Sequence, residues 1–435
     1  MKHAFKFLAV AGSGAALTAA APAWAAATPP PSVNSGDAAW MMTSTVLVLA
    51  MIVPGLALFY GGLTRAKNML STMTQIGAVA CLAMLIWVMW GYTMAFGEGG
   101  SAYVGGFGKA FLAGVTPDSI SGTIPEYVFA SFQMTFAAIT VALVLGSTVE
   151  RLKFSAAMVF AAVWLTIVYF PIAHMVWASD GLFFGMGALD FAGGTVVHIN
   201  AGVSALVASL ILGKRIGYPT ERIVPHSLTL TGVGTGLLWV GWFGFNAGSA
   251  LGANGAAGLA MINTFVATAS AGLFWMLAER LSGHKGSALG FCSGIIAGLV
   301  AITPAAGNAG PFGAIVLGAV ASVICFYAVT VLKPKLGYDD ALDAFGIHGI
   351  GGVVGAIGTA IVYAPSLGGP GKADYAMGGQ LIVQIEAVVA TIVLATIGTV
   401  IAVYVAKLVT GLRVSADVER EGLDLGEHGE RAYNY

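Results

Sequence analysis

Long apolar runs separated by short polar or glycine-rich breaks repeat along nearly the whole chain. A helix rises ~1.5 Å per residue, so ~20 apolar residues are needed to cross a bilayer's hydrocarbon core. On that measure the pattern predicts eleven membrane-spanning helices, over 38–61, 70–96, 127–148, 154–178, 195–213, 227–247, 256–278, 287–303, 311–332, 344–363 and 379–408. The fold class expected is therefore an all-α polytopic membrane protein.

Composition sharpens this reading. The 435 residues are 57% hydrophobic and only 9% charged, whereas soluble domains carry ~25% charged residues. Mean hydropathy is +0.86. A net charge of −1 leaves no basic footprint for nucleic acid. Ahead of the first span, Lys2 and Lys6, an apolar core from Phe7 to Ala20 and the small-x-small site Ala23-Trp24-Ala25 read as a signal peptide over 1–25. The remainder divides into a transmembrane domain, 26–410, and a charged tail, 411–435, whose polar VEREGLDLGEHGERAYNY is expected to be disordered.

Charge also orients the spans. With the N-terminus outside, the odd-numbered loops and the tail hold every Lys and Arg beyond the leader except Lys109 and Lys372. The positive-inside rule then gives N-terminus out and C-terminus in, in a bacterial cytoplasmic (inner) membrane. Cys81, Cys292 and Cys325 fall inside apolar spans without metal-ligand spacing and read as small buried packing residues. Gly232, Gly236 and Gly244 read as close helix packing.

Two stretches carry candidate chemistry. Asp190 to Val203, DFAGGTVVHINAGV, places His198 among glycines at the mouth of span 5; Asp343 to Val353, DAFGIHGIGGV, places His348 likewise in span 10. Imidazoles titrate near neutral pH and are costly in a membrane, so both are functional candidates. Eleven spans divide as five, five and one, which puts the histidines at equivalent positions of an inverted repeat followed by a final long helix. Each, however, lies only about four residues into its span. The rings meet only if Phe191-Ala192-Gly193-Gly194 and Ala344-Phe345-Gly346 run as buried, irregular segments.

Aromatic residues gather near the outer ends of spans: Phe132 and Phe136 in span 3, Trp177 ending span 4, and Trp242 and Phe245 in WFGFNAGS. Two readings stand, a belt at the lipid interface or a cage for a small cation, which ring faces attract by ~0.5–2 kcal/mol. Ser249 adds a hydroxyl acceptor. Asp190 either binds a cation or organises backbone amides at a helix start, and Asp343 receives the same reading. No third metal ligand and no HExxH spacing accompanies the histidines, so neither a metal nor a cofactor is expected.

Taken together, DFAGGTVVHINAG, PGLALFYGGLTRAKN (54–68), PIAHMVW (171–177), WFGFNAGS (242–249), FGIHG (345–349) and GLRV…EREGLD…HGERAYN resemble, in order, the ammonium transporters of the Amt/Mep/Rh family, on the bacterial Amt branch. The resemblance runs from about Trp40 to the C-terminus. It implies a homotrimer with one pore per subunit, serving nitrogen utilisation and not catalysis. Phe136, Trp177 and Ser249 would form the outer ammonium site, with Phe132 and Trp242 nearby and Asp190 in support. Phe136 and Phe245 would close the pore, and His198 and His348 would line it. Ammonium would be deprotonated, ammonia would cross, and protons would travel by a separate relay. A cytoplasmic PII-type regulator is the implied partner. The alternatives are an ammonium sensor signalling through the tail and a channel for a neutral gas such as carbon dioxide.

Overall fold

The structure, a computed structural model, describes residues 32–434; the expected signal peptide lies outside them. Among the described residues, eleven helices have the length and apolarity to cross a membrane: α1 Ser35–Leu63, α2 Ala66–Phe96, α3 Glu126–Leu145, α4 Phe154–Gly185, α5 Gly194–Leu212, α6 Leu228–Gly248, α7 Gly255–Leu281, α8 Ala288–Ala305, α9 Pro311–Leu336, α10 Phe345–Val362 and α11 Met377–Thr410. Each answers one predicted span. Their starts follow local chemistry: Asn34, Ser227, Asn254 and Ser287 cap α1, α6, α7 and α8 by accepting first-turn amides. A two-stranded hairpin, Ile120–Ser121 with Ile124–Pro125, lies in the loop before α3.

Several helices depart from regular α geometry. Proline lacks an N–H, and its ring displaces the carbonyl four residues back, so the helix widens there. Such wide π turns hold Pro54 in α1 and precede Pro171 in α4 (Leu165–Tyr169) and Pro334 in α9 (Ala328–Leu332). α5 and α10 both begin on a π turn, Gly194–Ile199 and Phe345–Gly349. α4 matches α9 and α5 matches α10, the correspondence that a five-plus-five inverted repeat requires. α11 lies across α4, α5 and α10. The apolar windows of α3, α5 and α8 are 78% buried, against 39% in α9 and α11. α3, α5 and α8 are therefore the most interior helices.

Three expectations need correction. The tail is ordered: Ala416–Glu421 (α12) and Leu423–His428 (α13) fold against the bundle. Cys292 and Cys325 are buried, but Cys81 is exposed. A side chain at Gly244 would strike Leu47, as close packing demands, whereas Gly232 and Gly236 face open space.

Candidate functional site

α5 and α10 cross within their first three turns. A Cβ on Gly202 would sit 2.1 Å from the Gly349 backbone nitrogen, and one on Gly352 would sit 3.0 Å from Ile199. Only hydrogen at these positions lets two backbones approach so closely. The approach brings His198 and His348 together: their Nδ1 atoms are 3.3 Å apart and their rings stack at 5.3 Å. The segment before His198 is irregular from Phe191 to Gly193, as its shallow position required; the segment before His348 is not, since Ala344 is helical and Phe345 and Gly346 already belong to the π turn. Gly193 has φ +115°, and the His198 amide donates five residues back to the Gly193 carbonyl.

One carboxylate sets the α5 turn. Asp190 accepts from the amides of Gly193 (2.8 Å), Gly194 and Thr195 (2.9 Å), and from the Thr195 hydroxyl. Of the two roles expected for Asp190, the structure gives it the organising one. The pairing of Asp343 with Asp190 is wrong by three residues. Asp343 binds Lys333 at 2.5 Å, and Asp340, eight residues before His348 as Asp190 is before His198, accepts from the Phe345 amide at 2.7 Å. A repeat aligned on the histidines would have found it.

Aromatic rings lead to the pair from the Trp177 face. Phe136 and Phe245 stack at 4.1 Å, and Trp177 meets Phe136 edge-on at 5.6 Å. The Trp177 indole N–H donates to the Asp190 carbonyl, which ties Trp177 to the α5 turn. Phe132 backs Phe136 at 4.9 Å and is fully buried. Trp242, expected near the outer site, instead lies beyond the Phe136/Phe245 stack and stacks on His198 at 5.5 Å. His174, inside PIAHMVW, lies on the same helix as Trp177. Its ring nitrogens lie 3.0 Å from the Ala95 carbonyl and 2.8 Å from that of Ser101, pinning a loop beside Trp177.

Space follows the same axis. A cavity of about 870 Å³ opens at the Trp177 face, bordered by Phe136, Trp177, Asp190 and Ser249. Another of about 510 Å³ opens at the tail face and reaches His348. Between them the space falls to about 10 Å³ among Val197, His198, Leu238, Trp242, Phe245 and His348, room for about one water-sized molecule.

Below the second cavity a buried ion network holds the loops. Arg215 bridges Glu150 (3.2 Å) and Asp339 (2.8 Å), and Arg65 reaches Glu150 at 2.8 Å. Burial alone would raise both carboxyls; the adjacent guanidiniums outweigh it and hold Glu150 and Asp339 below their ordinary values. Asp340 behaves oppositely. Burial pushes it up to about 6, with Lys333 opposing and Asp343 adding.

Eleven apolar helices around an axial constriction with a cavity on either side define a multi-pass membrane protein of transport type. The sequence profile of the Ammonium Transporter Family matches residues 39–433. An ammonium transporter from Aquifex aeolicus is 48% identical over 92% of this chain and 94% of its own length. One from Bacillus subtilis is 45% identical over 92% and 99%. Among solved structures, Candida albicans Mep2 superposes with a TM-score of 0.81 at 36% identity, covering 88% of this chain and 87% of that one. A protein described as a sensor Amt protein gives 0.83 at 28%, covering 90% and 98%. The chain belongs to the ammonium transporter family.

Proposed function

We propose that this chain carries ammonium across the membrane, recruiting it as a cation and passing it as ammonia. The observation that carries the reading is the imidazole pair, joined at 3.3 Å inside a constriction otherwise lined by apolar and aromatic groups. Phe136, Trp177 and Ser249 form the outer recruitment site, Asp190 shapes it, and Phe132 buttresses it from behind, while Trp242 lines the constriction beside His198. Ring faces hold a cation by ~0.5–2 kcal/mol. Taking an intact ion into a dry interior costs several kcal/mol, so the cage concentrates the cation but cannot pull it past the Phe136/Phe245 stack. Ammonium escapes that cost by giving up a proton; potassium has none to give. Ammonia then hydrogen-bonds along His198 and His348, and the proton crosses separately through the pair.

The working form is a homotrimer in a bacterial cytoplasmic membrane. The signal peptide over 1–25 is removed, the Trp177 face is outside, and 411–435 is a cytoplasmic regulatory tail on which a PII-type protein docks. Loss of that protein's binding after deletion of 417–435 tests the docking. The tail's contacts with the loops beneath His348 favour a second reading, sensing of pore occupancy through the tail. An ammonium jump on purified protein in supported membranes separates the two: transport gives a sustained ammonium current and none for potassium, and absence of flux with intact ammonium binding leaves the sensor.

A further inference from the structure

Thr303, fully buried at the end of α8, is in hydrogen-bond range of more groups than its hydroxyl can serve alike. A threonine hydroxyl has one proton and two lone pairs. Oγ1 receives the Trp242 indole N–H, an obligate donor, at 3.0 Å. It faces two obligate acceptors, the Leu299 carbonyl at 2.8 Å and Asn246 Oδ1 at 3.3 Å. The Asn246 amide is oriented because its Nδ2 donates at 3.0 Å to Thr264 Oγ1, whose own proton goes to the Ala260 carbonyl. The fourth neighbour is His198 Nε2 at 3.3 Å.

We propose that the Thr303 hydroxyl fixes the tautomer of His198 and through it the polarity of the histidine pair. This rests on the transport reading above. The hydroxyl proton goes to the nearer Leu299 carbonyl, one lone pair takes the indole, and the second is left for His198. It is satisfied when His198 carries its proton on Nε2. His198 Nδ1 is then bare and accepts from His348 Nδ1–H, which leaves Nε2 bare on the His348 ring, and that ring borders the tail-face cavity. Each ring is neutral with one proton, and the pair presents its free acceptor toward the tail. Reversal requires the hydroxyl to turn from Leu299 to His198 Nε2, giving up a 2.8 Å bond for a 3.3 Å contact. Thr303 is a positioning residue: it sets from which side the pair receives a proton.

The test is ¹⁵N NMR of histidine-labelled protein in membranes, which reads each ring's tautomer directly. Wild type and Thr303→Ser are expected to show His198 protonated on Nε2 and His348 on Nδ1. In Thr303→Val the tautomer ratio shifts by up to about tenfold, the weight of one neutral hydrogen bond. Trp242→Phe removes the indole donor but leaves the Thr303–His198 contact, and is expected to keep the wild-type tautomers. His198 protonated on Nδ1 in wild type overturns the proposal, as do unchanged tautomers in Thr303→Val or an equal shift in Trp242→Phe. The ammonium current of the same wild-type preparation is scored separately: its absence defeats the transport reading and leaves the tautomer assignment standing.

Discussion

At the residue scale, two carboxylates do one task in the two halves. Asp190 spends its oxygens on the amides of residues 193–195, so its length matters as well as its charge. Asp190→Glu keeps the charge but moves the oxygens, and is expected to lose ammonium current and about 1–3 kcal/mol of stability, the cost of stranding buried amides. Thermal unfolding in detergent and current in liposomes read both; an Asp190→Glu protein with wild-type values would mean that the carboxylate serves as a charge for the cation. Asp340 adds a pH dependence. Its raised value means that the folded state favours the neutral acid, so this group costs stability as pH rises from about 4 to about 6. Glu150 and Asp339 act with the opposite sign, contributing above the ordinary carboxylate range and losing that contribution as pH falls. Asp340→Asn is expected to abolish the loss between pH 4 and 6 in an unfolding titration; an unaltered profile would contradict the assignment. The histidines and aromatic residues were legible because titratable or aromatic groups stand out in apolar runs. Thr303 was not, since one threonine in a span looks like any other until its neighbours are known.

At the element scale, hydrophobic runs located all eleven helices, since length and apolarity are what a bilayer selects. The π turns and the α5/α10 crossing were less visible, because hydropathy does not distinguish an α turn from a wider one. Glycine content alone also misleads: Gly202 is a backbone crossing point and Gly232 faces open space. Gly202→Ala is expected to cost about 1–3 kcal/mol, typical of overpacking, and to part the histidine rings with loss of current. Gly232→Ala is expected to stay within about 0.5 kcal/mol, as surface changes do. Equal melting temperatures for the two variants would remove the crossing as the device that joins the histidines.

At the scale of the whole molecule, the tail explains why its own sequence misled. Helix starts leave amides without partners, and those at Met69 and Phe154 lack a cap from their own side chains. Asp424 caps the segment of α2 beginning at Met69 by accepting from Leu70 and Ser71, and Glu427 caps α4 through Phe154. Glu419 meanwhile accepts from the Ile216 amide beside the Arg215 network. The tail is polar because its carboxylates are caps for helices far away in sequence, a role no local window reveals. Replacing Asp424 and Glu427 by Ala is expected to cost about 0.5–2 kcal/mol per cap and to expose residues 411–434 to proteolysis; a tail as resistant as wild type would contradict the capping account.

The central claim is that cargo must shed a proton to pass a dry corridor whose polar chemistry is a pair of imidazoles. The most direct measurement is the potassium-to-ammonium current ratio in proteoliposomes for wild type, His198→Asp and His348→Glu. The account predicts no potassium current in wild type and a measurable one in both variants, where a carboxylate holds an intact cation. Full potassium exclusion in the variants, or potassium passage through the wild-type protein, would contradict it.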